Sequence, residues 1–236
     1  MPRPDFGRRS TEAERMDTDC ADFADYRRCL RDLSRVNLMT RTYAPTLRWL
    51  SRQNLEAGER FSLLDVGFGY GDMLRRIRAW ADRRGLEPEL HGIDLNPWAA
   101  EAACAAAGDG AGIRYETADL FAFEPQRPYD FIISAQFAHH LTDERIVDFI
   151  RWMERHAVRG WFISDLHRHP FPYYGFPLLA RAALWHRFVR TDGQVSIARS
   201  FLPRDWAALA ASAGLAPGAA EVRWHVPFRL TVGRVR

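Results

Sequence analysis

Residues 63–72 read Leu-Leu-Asp-Val-Gly-Phe-Gly-Tyr-Gly-Asp. Glycines at alternate positions 67, 69 and 71 permit a tight turn and leave no Cβ between the backbone and a ligand. An apolar run precedes this turn and an amphipathic helical pattern follows it. A strand, glycine turn and helix together aim backbone N–H groups at a nucleotide-like ligand. Asp65 sits at the entry to the turn. Two more acidic positions fall where strands should end: Asp94 in His91-Gly-Ile-Asp-Leu-Asn, and Asp119 in Thr117-Ala-Asp-Leu-Phe. An acidic side chain after a second strand accepts the two hydroxyls of a ribose. In an open α/β sheet such strand ends face one crevice.

Histidines supply the other chemistry. His139 and His140 follow the expected fourth strand, and His167 follows the fifth. Imidazole titrates near neutrality, so a histidine beside the crevice suits proton transfer. Packing or capping by the His139-His140-Leu141 turn is the competing reading. His167, His169, Tyr173, Tyr174, His186 and Arg187 form a second group suited to lining a lid. No matching Cys or carboxylate pattern accompanies these histidines, so no metal site is expected. Arg190-Thr-Asp-Gly and Arg199-Ser-Phe read either as an anion site or as a surface ion-pair loop.

The elements that must position these groups alternate. Strands are expected over Phe61–Val66, Glu89–Asp94, Gly112–Tyr115, Tyr129–Ser134 and Gly160–Asp165, with helices over Asp72–Arg84, Pro97–Ala107 and Asp143–His156 between them. Continuous apolar strands such as Phe131-Ile-Ile and Trp161-Phe-Ile belong in a sheet covered on both faces. Helical periodicity also marks Asp22–Leu33 and Val36–Leu55, the latter broken at Pro45. After Asp165 a helix is expected near Leu178–Val189, a loop around Asp192-Gly193, and a helix opening at Pro203. Gly218–Val226 and Phe228–Val235 suit an edge hairpin. The expected fold class is therefore α/β: a Rossmann-like, doubly wound, seven-stranded sheet, mostly parallel with an antiparallel last strand. N-terminal helices and an α-helical insert after the fifth strand complete it. The expected organisation is a disordered arm over 1–17 and one domain over 18–236, with a helical cap at 18–57 and a substrate-site insert at 166–202. Met16 reads as a possible natural start.

Composition narrows the function. The chain has 236 residues, 47% hydrophobic, with a net charge of +3. Its fixed side-chain cations are all Arg and are spread along the chain, which argues against a nucleic-acid groove. No apolar run approaches the roughly 20 residues of a membrane span. The N-terminus lacks the apolar segment of a secretory signal. Three scattered cysteines fit a reducing, cytoplasmic setting.

A nicotinamide-dinucleotide turn would carry Gly or Ala where this chain has Asp72. Instead, Asp65-Val-Gly-Phe-Gly-Tyr-Gly, Gly92-Ile-Asp-Leu-Asn, Ala118-Asp-Leu-Phe and Tyr129-Asp-Phe-Ile-Ile-Ser, in that order and spacing, resemble a class I S-adenosylmethionine (SAM)-dependent methyltransferase of the small-molecule type. The resemblance covers roughly residues 60–165. It implies that Asp65, Gly67, Phe68, Gly69 and Gly71 hold the methionine end of SAM, that Asp94 binds the ribose, and that Leu95 and Asn96 flank the adenosine. Asp119 would meet the adenine amino group, with Leu120 and Phe121 packing nearby, and Ser134 completes the cofactor set. His139 best matches the position where several O-methyltransferases of the family place a base; His140 and His167 are the other catalytic candidates. The expected product is S-adenosylhomocysteine (SAH). Asn/Asp-Pro-Pro-Tyr, Pro-Cys and paired-Glu signatures of nucleic-acid and protein methylation are missing. That leaves a small aromatic, polyketide-like or quinone-like acceptor, of secondary-metabolite type, taken by a monomer or homodimer. The alternatives are a methyltransferase-fold scaffold that does not catalyse, or a macromolecular acceptor.

Overall fold

The apolar runs assemble into one seven-stranded sheet. The computed structural model describes residues 5–108 and 112–236. The strands are β1 (Arg60–Val66), β2 (Glu87–Asp94), β3 (Ile113–Thr117), β4 (Tyr129–Ala135), β5 (Ala157–Leu166), β6 (Glu221–His225) and β7 (Arg229–Val235). Their order is β3-β2-β1-β4-β5-β7-β6. Strands β1 to β5 pair in parallel, while β7 runs antiparallel to both β5 and β6. This is the expected doubly wound sheet with its reversed last strand. Strand order reverses between β1 and β4, so a crevice opens beyond their carboxyl ends.

The continuously apolar strands serve two cores. Along β4, Phe131 and Ile133 face one side of the sheet and Ile132 the other; along β5, Phe162 opposes Trp161 and Ile163. Helices α2 (Phe23–Met39), α3 (Tyr43–Leu50), α4 (Asp72–Asp82) and α5 (Pro97–Ala107) belong to the first side. Helices α6 (Asp143–His156) and α9 (Pro203–Ser212) cover the second. The apolar spacing of α4 shows why: Met73, Leu74, Ile77, Trp80 and Ala81 are buried as one stripe. A short α1 (Arg15–Thr18), a 3-10 turn at Ala138–His140, α7 (Pro170–Ala182) and α8 (Arg187–Arg199) make up the rest.

Four expectations are corrected. Residues 5–16 are not a disordered arm. The Arg9 guanidinium lies 4.4 Å over the Phe201 ring and donates to Leu141 O and Arg199 O. Ser10 N donates to Ala198 O, Met16 N donates to Asp192 Oδ2, and Glu14 is 5% exposed. The segment's polar groups find partners at the ends of other elements, which composition does not reveal; the first four residues of that expected arm lie outside the described ones. The helix break lies at 40–42, ahead of Pro45, which sits in the first turn of α3, where a missing N–H leaves no helical bond unmade.

The insert also differs. The expected helix over Leu178–Val189 straddles the turn between α7 and α8, where Leu184 adopts φ 53° and His186 caps α8 by accepting from Phe188 N. The expected Asp192-Gly193 loop is the middle of α8. Glycine is needed there for space: a Cβ on Gly193 would lie 2.1 Å from the Phe176 ring of α7. Gly193→Ala should therefore lower stability by about 1 kcal/mol or more through overpacking, although alanine is the better helix former. Phe176→Leu should relieve the effect. A denaturation curve showing Gly193→Ala more stable than the parent would refute this packing account.

Candidate functional site

Local sequence dictates the floor of the crevice. After β1 the chain turns through Gly67, Gly69 and Gly71, all at positive φ (74°, 55° and 68°). A Cβ on Gly71 would strike the Tyr115 ring at 2.6 Å, whereas beside Gly69 the nearest atom is a Leu30 methyl at 3.9 Å. The turn is thus clamped below and open above. Gly69 N donates to Asp94 Oδ2 at 3.0 Å, and Asn96 N donates to Asp94 Oδ1. Asn96 Oδ1 in turn caps α5 by accepting from Trp98 N.

A cleft of about 520 Å³ lies above this floor. Asp65, Gly67, Phe68, Gly69, Asp94, Leu95 and Asn96 line it, and His139 and His140 line its other end. Asp65 is 1% exposed, and its Oδ1 has no hydrogen-bond partner. Burial, with Asp72 and Asp94 nearby, pushes its carboxyl well above the usual range. A buried acceptor left unsatisfied beside a ligand-sized cleft suits a cationic amine.

Residues that motif reasoning did not assign close this end. Tyr43 donates its hydroxyl to Asp72 Oδ2, Asn37 Nδ2 donates to the same oxygen, and Gln136 Nε2 donates to Asn37 Oδ1. Burial and Asp72 push the Tyr43 hydroxyl up, so it stays a donor.

At the opposite end lies a buried ion chain. Asp165, at the end of β5, accepts from His139 Nδ1 at 2.7 Å and from His139 N at 3.1 Å. His139 Nε2 is 3.4 Å from Glu14 Oε1, and His140 Nε2 is 3.9 Å from Glu14 Oε2. Burial alone would lower the His139 pKa, but Asp165 and Glu14 outweigh it and push it up to about 9. Burial opposes ionisation of Glu14 too, yet His139, His140 and Ser196 bring it down to about 2. Asp165 is likewise held below its ordinary value by His139. Arg229, buried behind it with Nη2 donating to Thr40 Oγ1, keeps its charge at a pKa lowered by burial to about 10. Glu14, His139 and His140 bring three ligand-type atoms within 4.8 Å of one another, and the ion pairs account for that closeness. Arg199 holds the turn from outside, donating to His139 O and His140 O.

Four expected site residues fall elsewhere. Ser134 Oγ donates to Val66 O inside the sheet, so it braces β4 against β1 rather than facing the cleft. His167 accepts from Trp224 Nε1 beside Phe228, at the β6–β7 hairpin. Asp119 is exposed beyond β3 and caps its own turn by accepting from Phe121 N; Leu120 is buried in the second core. None of these lines the cleft. From the expected lid, His186 and Arg187 instead hold Asp25. Asp165 had a legible signal, an acidic residue at a strand end. Glu14 had none.

Residues 63–160 match the family model described as "Methyltransferase domain". Among solved structures, the magnesium protoporphyrin IX methyltransferase of Synechocystis PCC 6803 with bound SAH is similar at 16% identity, TM-score 0.58, covering 84% of this chain and 83% of that one. The plantazolicin methyltransferase, solved with a pentazolic desmethyl-plantazolicin analogue and SAH, is similar at 13% identity, TM-score 0.62, covering 90% and 96%. A putative O-methyltransferase of Nostoc punctiforme PCC 73102 follows at 12% identity, TM-score 0.61, covering 89% and 60%. No curated protein matches the sequence. Residues 63–160 therefore match a methyltransferase-domain model, and the fold is the one seen in these solved methyltransferases.

The geometry separates a ligand role for Asp65 from a structural one. Asp65→Asn removes a buried, unsatisfied acid, so the ligand-free protein should melt at an equal or higher temperature while SAM affinity falls at least tenfold. A variant that melts lower and still binds SAM as the parent does would make Asp65 a structural residue. Asp94→Ala should also weaken SAM binding more than tenfold by calorimetry; unchanged affinity would remove it from the site.

Proposed function

We propose that this protein is a SAM-dependent methyltransferase acting on a small aromatic, polyketide-like or quinone-like acceptor at oxygen or carbon, with SAH as product. The observation that carries the reading is the pairing, across one cleft, of an unsatisfied buried Asp65 in a glycine cradle with a charged His139 at the far end. The matched domain, and fold neighbours that carry SAH, support the donor. Neighbours named for a protoporphyrin and for plantazolicin support a non-macromolecular acceptor.

Asp65 and the Gly67–Gly71 backbone would hold the amino-acid end of SAM, with Tyr43 and Gln136 closing over it. Asp94 would take the ribose hydroxyls, and Leu95 and Asn96 the adenosine. When bound, SAM supplies an electrophilic methyl group on a sulfonium sulfur. The chain's own work is to align the acceptor, which supplies much of the rate, and to remove a proton. Met16, Leu30, Leu33 and Phe137 give the cleft an apolar wall that excludes water. Asp165 fixes the His139 ring through Nδ1 and directs Nε2 outward toward Glu14. The neutral ring is the form that accepts a proton, so His139 becomes competent as pH rises through its raised pKa.

His139→Ala should cut turnover at least a hundredfold with SAM affinity within about twofold, the scale of a lost general base. The parent's turnover should climb with pH to an apparent pKa near 9. Glu14→Gln, which removes a negative charge facing Nε2, should move that climb to lower pH. Full activity of His139→Ala in a SAM-consumption assay against phenols and polyketides would place the base elsewhere.

A further inference from the structure

Outside the cleft, the insert between β5 and α9 presents an unusual surface. Helix α7 carries apolar side chains on both faces, and Arg181 in its last turn is its one charged residue. Its inner side packs Ala180, fully buried, and Phe176, whose ring lies against Gly193 and Trp185. Its outer side carries Phe171 (71% exposed), Tyr174 (55%) and Leu178 (68%), spaced three and four apart and so on one stripe. Leu184, in the turn that follows, is 85% exposed. Phe6 meets Tyr174 edge-on at 6.5 Å, yet Phe171, Tyr174 and Leu178 all stay more than half exposed. A helix apolar on both faces belongs inside a protein or against lipid, and a contiguous exposed apolar ridge marks an interaction site.

The ridge continues onto the β6–β7 hairpin. Phe171 stacks on Phe228 at 5.5 Å between centroids, and Phe228 meets Trp224 edge-on at 6.3 Å. Trp224 and Val226 are half or more exposed. Beside them, between α3 and β6, lies a second cavity of about 460 Å³, lined by Arg41, Ala44, Arg48, Trp224, His225 and Val226. The methyl-transfer reading gives it no role.

Charge identifies what this face meets. Residues 166–191 contain no Asp or Glu. Several acids beside it are already engaged: Asp25 with His186 and Arg187, Asp32 with Arg35 and the backbone of His186, Asp192 with the Met16 N–H, and Glu221 with Arg223; Glu12 lies near Tyr173. Arg41, Arg48, Arg181 and Arg190 have no carboxylate partner among the described residues. The arginine charge around the second cavity registers on His225, which burial, Arg48, Arg223 and Arg52 together hold below its ordinary pKa. A symmetric contact with another copy would bring these arginines together with nothing to neutralise them. An anionic bilayer surface meets both demands: its interface takes the aromatic and leucine side chains, and its phosphates take the arginines.

We propose that α7, the Leu184 turn and the tip of the β6–β7 hairpin form a docking face for an anionic membrane surface, with the Arg41–Arg48 cavity receiving a lipid headgroup. This is peripheral attachment; among the described residues no helix is long and apolar enough to cross a membrane. It stands apart from the methyl-transfer reading, because the face and the cleft share no lining residue.

The test is co-sedimentation of the whole chain with vesicles of phosphatidylcholine alone and of phosphatidylcholine with about one third phosphatidylglycerol, at low and at physiological salt. Binding at least tenfold tighter to the anionic vesicles, weakening as salt rises, is expected. The paired substitution Phe171→Ser with Leu178→Ser should lose most of that binding, and so should Arg41→Ala with Arg48→Ala, with melting temperature and SAM affinity unchanged. Absence of binding to anionic vesicles would overturn the proposal. So would an apolar-ridge variant that binds like the parent. A parent that sediments as a dimer, and becomes monomeric when the ridge is substituted, would assign the face to a second copy instead.

Discussion

A buried carboxyl oxygen left without a hydrogen-bond partner costs about 1–3 kcal/mol, and in the function proposed above a ligand's cationic amine offsets that cost. Asp65 carries that oxygen. Its position follows from the β1 register: Asp65 pairs across from Gly92 on β2 and from Ile133 on β4, and the strand order reverses between β1 and β4. The glycine turn after it, clamped by Tyr115 and anchored to Asp94, keeps the backbone close to the cleft. The N-terminal helices then close the opening, with Tyr43 and Asn37 both bonded to Asp72.

The other end of the cleft is organised by charge. Asp165, His139 and Glu14 alternate in sign, and Arg229 backs Asp165 from behind. Each group draws its protonation state from the next, so removing one should disturb all of them. Because Glu14 lies on a segment held to α8 and to the His139 turn by Arg9, Ser10 and Met16, the N-terminal residues belong to the site and do not merely precede it.

Much of this was legible in the residue order. The runs Phe131-Ile-Ile and Trp161-Phe-Ile read as strands buried on both faces because each residue does serve one of two cores, and the acidic strand ends Asp65 and Asp94 read as one crevice because parallel topology forces them together. What stayed hidden has a common cause, namely dependence on long-range packing. Gly193 looks like a loop residue until the Phe176 ring is seen against it. Ser134 looks like a ligand contact until its hydroxyl is found on Val66 O. His167 shares the strand-end logic of His139, but the hairpin draws it toward Trp224 and Phe228. Glu14 sits in a polar stretch whose partners are more than a hundred residues away.

The account rests on the cleft above Asp65 being a SAM site, and calorimetric titration of the unmodified protein with SAM and with SAH tests that most directly. One molecule of each should bind per chain, competitively, with dissociation constants in the micromolar range. No heat from either ligand up to high micromolar concentration, with the protein shown to be folded, would contradict it.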